Sequence, residues 1–299
     1  MDRPRLRPDR PDVQVGVTVF LSRRLVPLAW ANLVANIGIV VTGGAVRLTG
    51  SGLGCPTWPK CTEESYTTHG ALGVHGVIEF GNRLLTYVLL AIAVAFVVAA
   101  WQRGGRVRTL GLVVLAGIPA QAVVGGITVL TDLNPWIVAF HLLVSMAMVG
   151  VCVWILDELV GPARAGASAA AGRLARATFV VGWLVLWLGT VVTGSGPHSG
   201  DLDSRRTGLD PEIVSHVHGF SVWLLVLLTG ALFLTARKHG ARALARFAGV
   251  LLAVELAQGL LGYVQFFTDL PEILVGLHML GAALVAAGLA RVVVTTHPR

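Results

Sequence analysis

The sequence is poor in charged residues. Only 13% of its 299 residues are Asp, Glu, Lys or Arg, whereas 55% are hydrophobic. Soluble globular domains carry charge on about a quarter of their residues, so this composition excludes a soluble globule. Apolar runs of the length that crosses a bilayer recur along the chain instead. The sequence therefore predicts a polytopic membrane protein.

Eight stretches are long and apolar enough to span a membrane. Each approaches or exceeds the ~20 residues that the hydrocarbon core requires, and the fifth is the shortest. The predicted spans are roughly Leu25–Val46, Ala71–Trp101, Val107–Leu130, Pro135–Leu159, Ala177–Thr193, Glu212–Ala236, Ala243–Phe267 and Glu272–Val294. We therefore expect an all-α polytopic membrane fold with eight transmembrane helices.

The N-terminus lacks the apolar core of a cleaved signal peptide. Met1–Val15 is rich in Arg, Asp and Pro and predicts a disordered tail. Basic residues are also scarce on one side of the predicted topology, where only Arg47, Lys60, Arg205 and Arg206 fall. Eighteen of the 23 basic residues lie on the other side, which the positive-inside rule makes cytoplasmic together with both termini. The net charge of +7 thus orients the protein and indicates no nucleic-acid partner.

Cysteine is scarce, with three residues in the chain. Cys55 and Cys61 lie in the first external loop, in the run GCPTWPKC, where an oxidising compartment favours a disulfide. A metal site is the alternative, although no His or third Cys adjoins the pair. Closing so short a loop stabilises it by roughly 2 to 3 kcal/mol in the chain-entropy model. Cys152 lies within a span and is interpreted as a packing residue.

One segment occurs twice. Ala120–Leu143 and Ala257–Leu280 align without a gap at an offset of 137, which pairs His141 with His278 and one Thr-Asp-Leu triplet with the other. Because four spans separate the copies, both halves enter the membrane in the same direction. We predict two parallel-repeat four-helix bundles. They cover residues 25–160 and 177–299, with a cytoplasmic tail at 1–24 and a cytoplasmic linker at 161–176.

Ionisable side chains inside spans are costly and mark functional sites by default. Here they are few: His75, Glu79, Arg83, His141, His216, His218, Glu255 and His278. Any one of the histidines could be a packing residue, but together they form one layer near the external face, on even-numbered spans. Neutral imidazole is a natural metal ligand, and two facing histidines in a helix bundle hold a haem iron, whereas zinc needs three or four converging ligands.

We predict one pair of axial histidines in each half. In the second half His278 pairs with His216 or His218, which point roughly 200° apart on their helix, so that only one can face the iron. In the first half His141 needs a partner from the second span. Asn82 aligns with His218 at an offset of 136.

His75 also aligns with His218, at an offset of 143, and the sequence leaves both alignments open. His75, Glu79 and Asn82 share one face of the second span, with Arg83 beside it. Glu79 is either an ion-pair partner of Arg83 or a proton-transfer group. The second half has Ser215 where Glu79 aligns, so the halves differ by one acid. That asymmetry predicts a catalytic first half beside a structural second half.

Taken together, these features resemble heme A synthase, the membrane enzyme that follows heme O synthase in making the haem of terminal oxidases. The resemblance covers all eight spans. It is carried by VRLTGSGLGCPTWPKC, IEFGNRLLT, NPWIVAFHLL, the second Thr-Gly-Ser-Gly and the histidines of the sixth and eighth spans. It implies oxidation of the C8 methyl of haem O to a formyl group, by successive hydroxylations in the first half, and a haem b in the second half that passes electrons.

The family's functional residues map onto a small set of positions. The resemblance implies that Glu79 is the essential acid with Arg83 in support, His141 an axial ligand of the substrate haem, His218 and His278 the ligands of haem b, and Cys55 and Cys61 the loop cysteine pair. Asn82 departs from the pattern, because the family has a histidine there in Glu-x-x-His-Arg. We predict that His75 supplies the second ligand; a one-histidine site with an open coordination position is the alternative.

Two other functional classes fit parts of the sequence. One is a di-haem membrane cytochrome that relays electrons without modifying haem. The other is a transporter, which predicts broken helices and a polar site at mid-membrane, whereas the polar residues here lie toward one face. For the enzyme we expect a bacterial plasma membrane, haem sites toward the external face, and lipid, haem O and heme O synthase as partners. The electron donor and the oligomeric state, including a homo-oligomer, stay open.

Overall fold

Eight helices of membrane-spanning length make up the described part of the chain. The computed structural model describes residues 24–162, 164, 166–201 and 203–298, and no strand occurs among them. The helices are α1 (Leu25–Leu48), α2 (Gly73–Ala100), α3 (Gly105–Leu130), α4 (Pro135–Val160), α5 (Ala169–Ser195), α6 (Pro211–Lys238), α7 (Arg242–Phe267) and α8 (Glu272–Thr295). A one-turn 3₁₀ helix, Gly70–Leu72, precedes α2. The prediction of an all-α polytopic membrane protein is confirmed, and the predicted tail lies almost wholly outside the described residues.

The fifth helix is longer than predicted. It was expected over Ala177–Thr193 as the shortest span, but α5 has 27 residues and begins at Ala169. Its start is fixed by Ser168, whose side chain accepts a hydrogen bond from the backbone amide of Ala171. Arg173 and Arg176 lower the hydropathy of the first turns of α5. A prediction from apolar length therefore left these turns out of the span.

The helices pack in two closed rings. In residues 25–160 contacts run α1–α2, α2–α3, α3–α4 and back to α1, and in residues 169–295 they run α5–α6, α6–α7, α7–α8 and back to α5. Helices α1, α4, α5 and α8 form the junction between the rings. Gly44 of α1 allows close approach there, because a Cβ would lie 2.6 Å from the sulfur of Met279 on α8. That the rings are parallel repeats stays a prediction.

The duplicated segment has the same backbone in both copies. Asp132 and Leu133 have φ of 50° and 55°, and Asp269 and Leu270 have φ of 57° and 56°. Left-handed backbone is uncommon for a leucine, so its occurrence at the same position of both turns shows that the two copies share one local structure. In each turn the leucine amide donates 2.8 Å to a carbonyl five residues earlier. Both turns therefore start the next helix in the same way, six residues before its histidine.

An ion-pair cluster joins the rings at the end opposite the histidines. Asp157 of α4 is 2% exposed. Its Oδ1 accepts from Arg291 of α8 at 2.6 Å, and its Oδ2 accepts from Arg164 at 3.0 Å. Breaking such a buried pair leaves an uncompensated charge, so this contact fixes one ring against the other.

Candidate functional site

Three helices carry a histidine whose ring is only partly buried: His141 on α4, His218 on α6 and His278 on α8. In each of them Nδ1 is buried and has no hydrogen-bond partner among the described residues. The carbonyl of Val185 lies near His218 but without hydrogen-bond geometry. Buried polar atoms are normally paired. Three imidazoles that share an unpaired, buried Nδ1 therefore form a set that suits ligand binding.

Each of these rings rests against a glycine of the neighbouring helix. A Cβ on Gly125 would lie 3.3 Å from Cε1 of His141, and one on Gly262 would lie 3.6 Å from Cε1 of His278. Within the duplicated segment the glycine thus precedes the histidine by the same 16 residues in both copies. The sequence alignment pairs these glycines, but their role as seats for the imidazoles becomes visible only in three dimensions.

His218 has an equivalent seat, since a Cβ on Gly189 of α5 would lie 3.3 Å from its Cε1. His218 and His278 are also near enough to interact electrostatically. His216, by contrast, is exposed, and its ring lies 6.0 Å from that of Phe266. The structure therefore turns His218 toward α5 and His278, and places His216 on the outer surface of α6.

The histidine-bearing helices stand diagonally across each ring. Of the described helices, α2 does not contact α4, and α6 does not contact α8. A planar ligand between two facing side chains requires such a separation. Among the described residues, no three His, Cys, Asp or Glu side chains gather to hold a metal ion directly. The donor set thus fits a haem held by one histidine from each of two helices and does not fit a zinc site.

In α2 the position that matches His218 in depth belongs to Asn82. Asn82 lies 18 residues before the end of α2, and His218 lies 20 before the end of α6. The Asn82 Oδ1 accepts a 2.8 Å hydrogen bond from Thr42 of α1, so its amide is engaged with the neighbouring helix. The structure does not bring a fourth histidine to this depth.

His75 lies nearly two turns further out, in the first turn of α2, and is exposed. Its Nδ1 is 2.9 Å from the hydroxyl of Ser51. Metal-ligating histidines commonly use one ring nitrogen for such an outer contact and the other for the metal. The contact with Ser51 fixes the ring of His75 and leaves Nε2 for a ligand.

Glu79 is 5% exposed and forms an ion pair with Arg83. The Glu79 Oε1 accepts from Nε of Arg83 at 3.1 Å and from Nη2 at 2.5 Å, while Oε2 accepts from the backbone amide of Cys55 at 2.6 Å. All three bonds are charge-assisted and hold the carboxylate in one orientation. The sequence suggested two roles for Glu79, ion pairing with Arg83 or proton transfer. The structure contains the ion pair.

The first external loop is tied down over this acid. Cys55 and Cys61 form a disulfide and are fully buried. Arg83 donates to the carbonyls of Cys55, Thr57 and Lys60 at 3.0 to 3.1 Å. The predicted disulfide is confirmed, and Arg83 emerges as the residue that joins the acid to the loop.

The same loop reaches the helix that seats His141. The ring of Trp58 fills the notch at Gly126 of α3, so closely that a Cβ there would collide with it. Gln121, also on α3, donates to the backbone carbonyl of His141 at 2.8 Å and to Ser145 at 2.6 Å. The loop and α4 thus contact adjacent residues of α3, Gly126 and Gly125. Trp58 was not foreseen from sequence, because nothing in its spacing indicates which helix it will contact.

Comparison with known proteins decides the family. The sequence model of a family described as cytochrome oxidase assembly protein, COX15-CtaA, matches residues 27–197, more than half of the chain. The chain belongs to this family. The match covers α1 to α5, and so the members Glu79, Arg83 and His141 of the site.

Several curated relatives of the chain bear the name heme A synthase. The chain is similar to those of Geobacillus thermodenitrificans, at 34% identity over 44% of this chain and 42% of that protein, and of Geobacillus kaustophilus, at 31% over 47% and 45%. A protoheme IX farnesyltransferase of Halobacterium salinarum is 26% identical over 64% of this chain and 39% of its own length. The chain thus spans less than half the length of these relatives, and the predicted resemblance to heme A synthases is confirmed.

Proposed function

We propose that the protein is a heme A synthase, which oxidises the C8 methyl group of haem O to a formyl group to give haem A. The observation that carries the proposal is the buried Glu79 carboxylate, oriented by Arg83 and Cys55 beneath a disulfide-closed loop. It lies in the half that the family match covers, and the second half has Ser215 at the aligned position.

The substrate haem is assigned to the first ring and a haem b to the second. His141 is the ligand of haem O on α4, and His75, whose Nδ1 is held by Ser51, supplies the second contact from α2. His218 on α6 and His278 on α8, each seated on a glycine, are the residues that would hold haem b. When bound, haem b supplies one-electron chemistry to the first ring.

Glu79 acts on protons in this proposal. Conversion of a methyl group and one water to a formyl group releases four protons and four electrons. A fixed carboxylate can accept the protons and pass them on, while the electrons leave to an acceptor. Arg83 keeps the carboxylate oriented, and the loop that contains Cys55 covers it. Trp58 of the loop excludes water from α3 at Gly126, next to the glycine that seats His141.

Haem O would reach the protein from a heme O synthase, since the product of one is the substrate of the other. The basic-residue distribution supports cytoplasmic termini in a bacterial plasma membrane, with the histidines toward the external face.

A di-haem cytochrome that only relays electrons is the second candidate, and the paired histidines alone would favour it equally.

Glu79→Ala separates the two candidates. In cells supplied with haem O, the enzyme proposal predicts that Glu79→Ala keeps its haem spectrum but forms little haem A. Glu79→Gln should also form little haem A, although it retains the contact with the loop. The matched control is Glu63→Gln, an exposed acid of the same loop. Unchanged haem A formation in Glu79→Ala would show that the acid takes no part in the reaction. Absence of haem A from cells in which the folded wild-type protein has bound haem would favour the relay.

A further inference from the structure

A basic pocket lies at the end of the molecule opposite the histidines, where α6 turns into α7. It is an open pocket of about 410 Å³ that is lined by Phe233, Arg237, Gly240, Arg242, Ala245, Arg246 and Gly249. Three of the seven lining residues are arginines, and none is acidic. We propose that this pocket binds the headgroup of an anionic phospholipid.

The three guanidinium groups have no anionic partner among the described residues. Arg237, Arg242 and Arg246 are exposed, and no ion pair in residues 24–162, 164, 166–201 and 203–298 involves them. Like charges that converge from two helices repel one another unless an anion lies between them. Arginine binds phosphate by two parallel hydrogen bonds, so a phosphodiester is the anion that suits the pocket.

The corresponding turn of the first half uses its arginines differently. Between α2 and α3, Arg106 is paired with Glu158 at 3.2 Å and lies over the ring of Trp154. Arg108 lies over the ring of Trp101. Orientation in the membrane requires only basic charge near this face, which both turns provide. At the α6–α7 turn that charge lines a concave pocket whose lining residues include no carboxylate.

The walls of the pocket suit a lipid better than a free anion. The ring of Phe233 packs at Gly249, where a Cβ would lie 3.2 Å from it, and the Arg237 guanidinium lies 5.6 Å from the ring centroid. Along the membrane side of this hairpin, Leu234 is 65% exposed and Val250 is 58% exposed. Acyl chains can lie on this apolar surface while the headgroup phosphate contacts the arginines. Basic pockets between transmembrane helices bind anionic headgroups in this way.

Native mass spectrometry of the full-length protein in detergent tests the proposal. Phosphatidylglycerol should bind as one retained adduct with at least tenfold higher affinity than phosphatidylcholine. Each arginine contributes roughly a fivefold effect, so Arg237→Gln/Arg242→Gln/Arg246→Gln should lose about a hundredfold. Arg103→Gln/Arg173→Gln/Lys238→Gln removes the same charge outside the pocket and should bind like the wild type.

Circular dichroism checks that both triple variants are folded; if the pocket variant is not, the three single substitutions are measured, each with its expected fivefold loss. Equal binding of phosphatidylcholine would overturn the proposal, as would an equal loss in the matched variant. Inorganic phosphate that competes as well as the lipid would assign the pocket to a soluble anion instead and would also overturn it. None of these outcomes depends on haem chemistry.

Discussion

The backbone amide of Cys55 donates a 2.6 Å hydrogen bond to the Glu79 carboxylate. The acid of α2 is thereby bonded to one end of the only disulfide in the described residues. Since Arg83 also binds both Glu79 and the Cys55 carbonyl, acid, base and loop form one closed set of contacts. The covering of the first ring and the orientation of its acid therefore depend on each other.

Removal of the disulfide should loosen Glu79. In Cys55→Ser/Cys61→Ser, the loop regains the freedom that closure removes, at a cost of roughly 2 to 3 kcal/mol. Hydrogen exchange at the amide of residue 55 should accelerate, and haem A formation should fall while the second-ring haem spectrum is kept. Cys152→Ser, which changes a buried thiol elsewhere, is the control. Unchanged exchange at residue 55 would show that Arg83 holds the loop without the disulfide.

The glycine seats predict a graded response to an added methyl group. Gly189→Ala would place Cβ 3.3 Å from Cε1 of His218 and should shift the imidazole, whereas Gly262→Ala would make ordinary contact with His278 at 3.6 Å. Alanine favours the helix over glycine, so neither change should unfold the protein. We expect roughly tenfold weaker haem retention in Gly189→Ala and little change in Gly262→Ala, measured by pyridine haemochrome. Equal retention in both variants would contradict the role of the seat.

His75 should be a ligand of the substrate haem. His75→Ala is expected to change the spectrum of the first-ring haem and to reduce its retention, because it removes the Nε2 that the contact of Nδ1 with Ser51 leaves for the ligand. His69→Ala, an exposed histidine just outside α2, serves as the control. Full haem A production with an unaltered spectrum in His75→Ala would leave His141 as the sole axial ligand.

The ion-pair cluster at Asp157 should stabilise the junction between the two rings. Asp157→Asn leaves Arg164 and Arg291 without their carboxylate, and loss of such a buried pair costs about 3 to 5 kcal/mol. The neighbouring Glu158→Gln breaks the exposed contact with Arg106 and should cost no more than about 1 kcal/mol. Thermal unfolding in detergent measures both, and similar melting temperatures for the two variants would show that the junction does not rest on Asp157.

Sequence alone predicted the number of helices and the histidines, because long apolar runs and rare polar residues within them are signals that need no tertiary information. It missed the first two turns of α5, where Arg173 and Arg176 interrupt the apolar pattern of a continuous helix. It could not choose between His216 and His218, since the choice depends on where α5 packs. The sequence also could not identify the partners of Glu79, because Cys55 approaches the acid only when the loop has folded.

The identity of the haem produced tests the central claim most directly. The full chain is co-expressed with a heme O synthase, and the extracted haems are separated by chromatography. We predict that haem A appears only when this chain is present and depends on Glu79. Extracts that contain haem O and haem b but no haem A, from cells in which the folded protein has bound haem, would contradict the account.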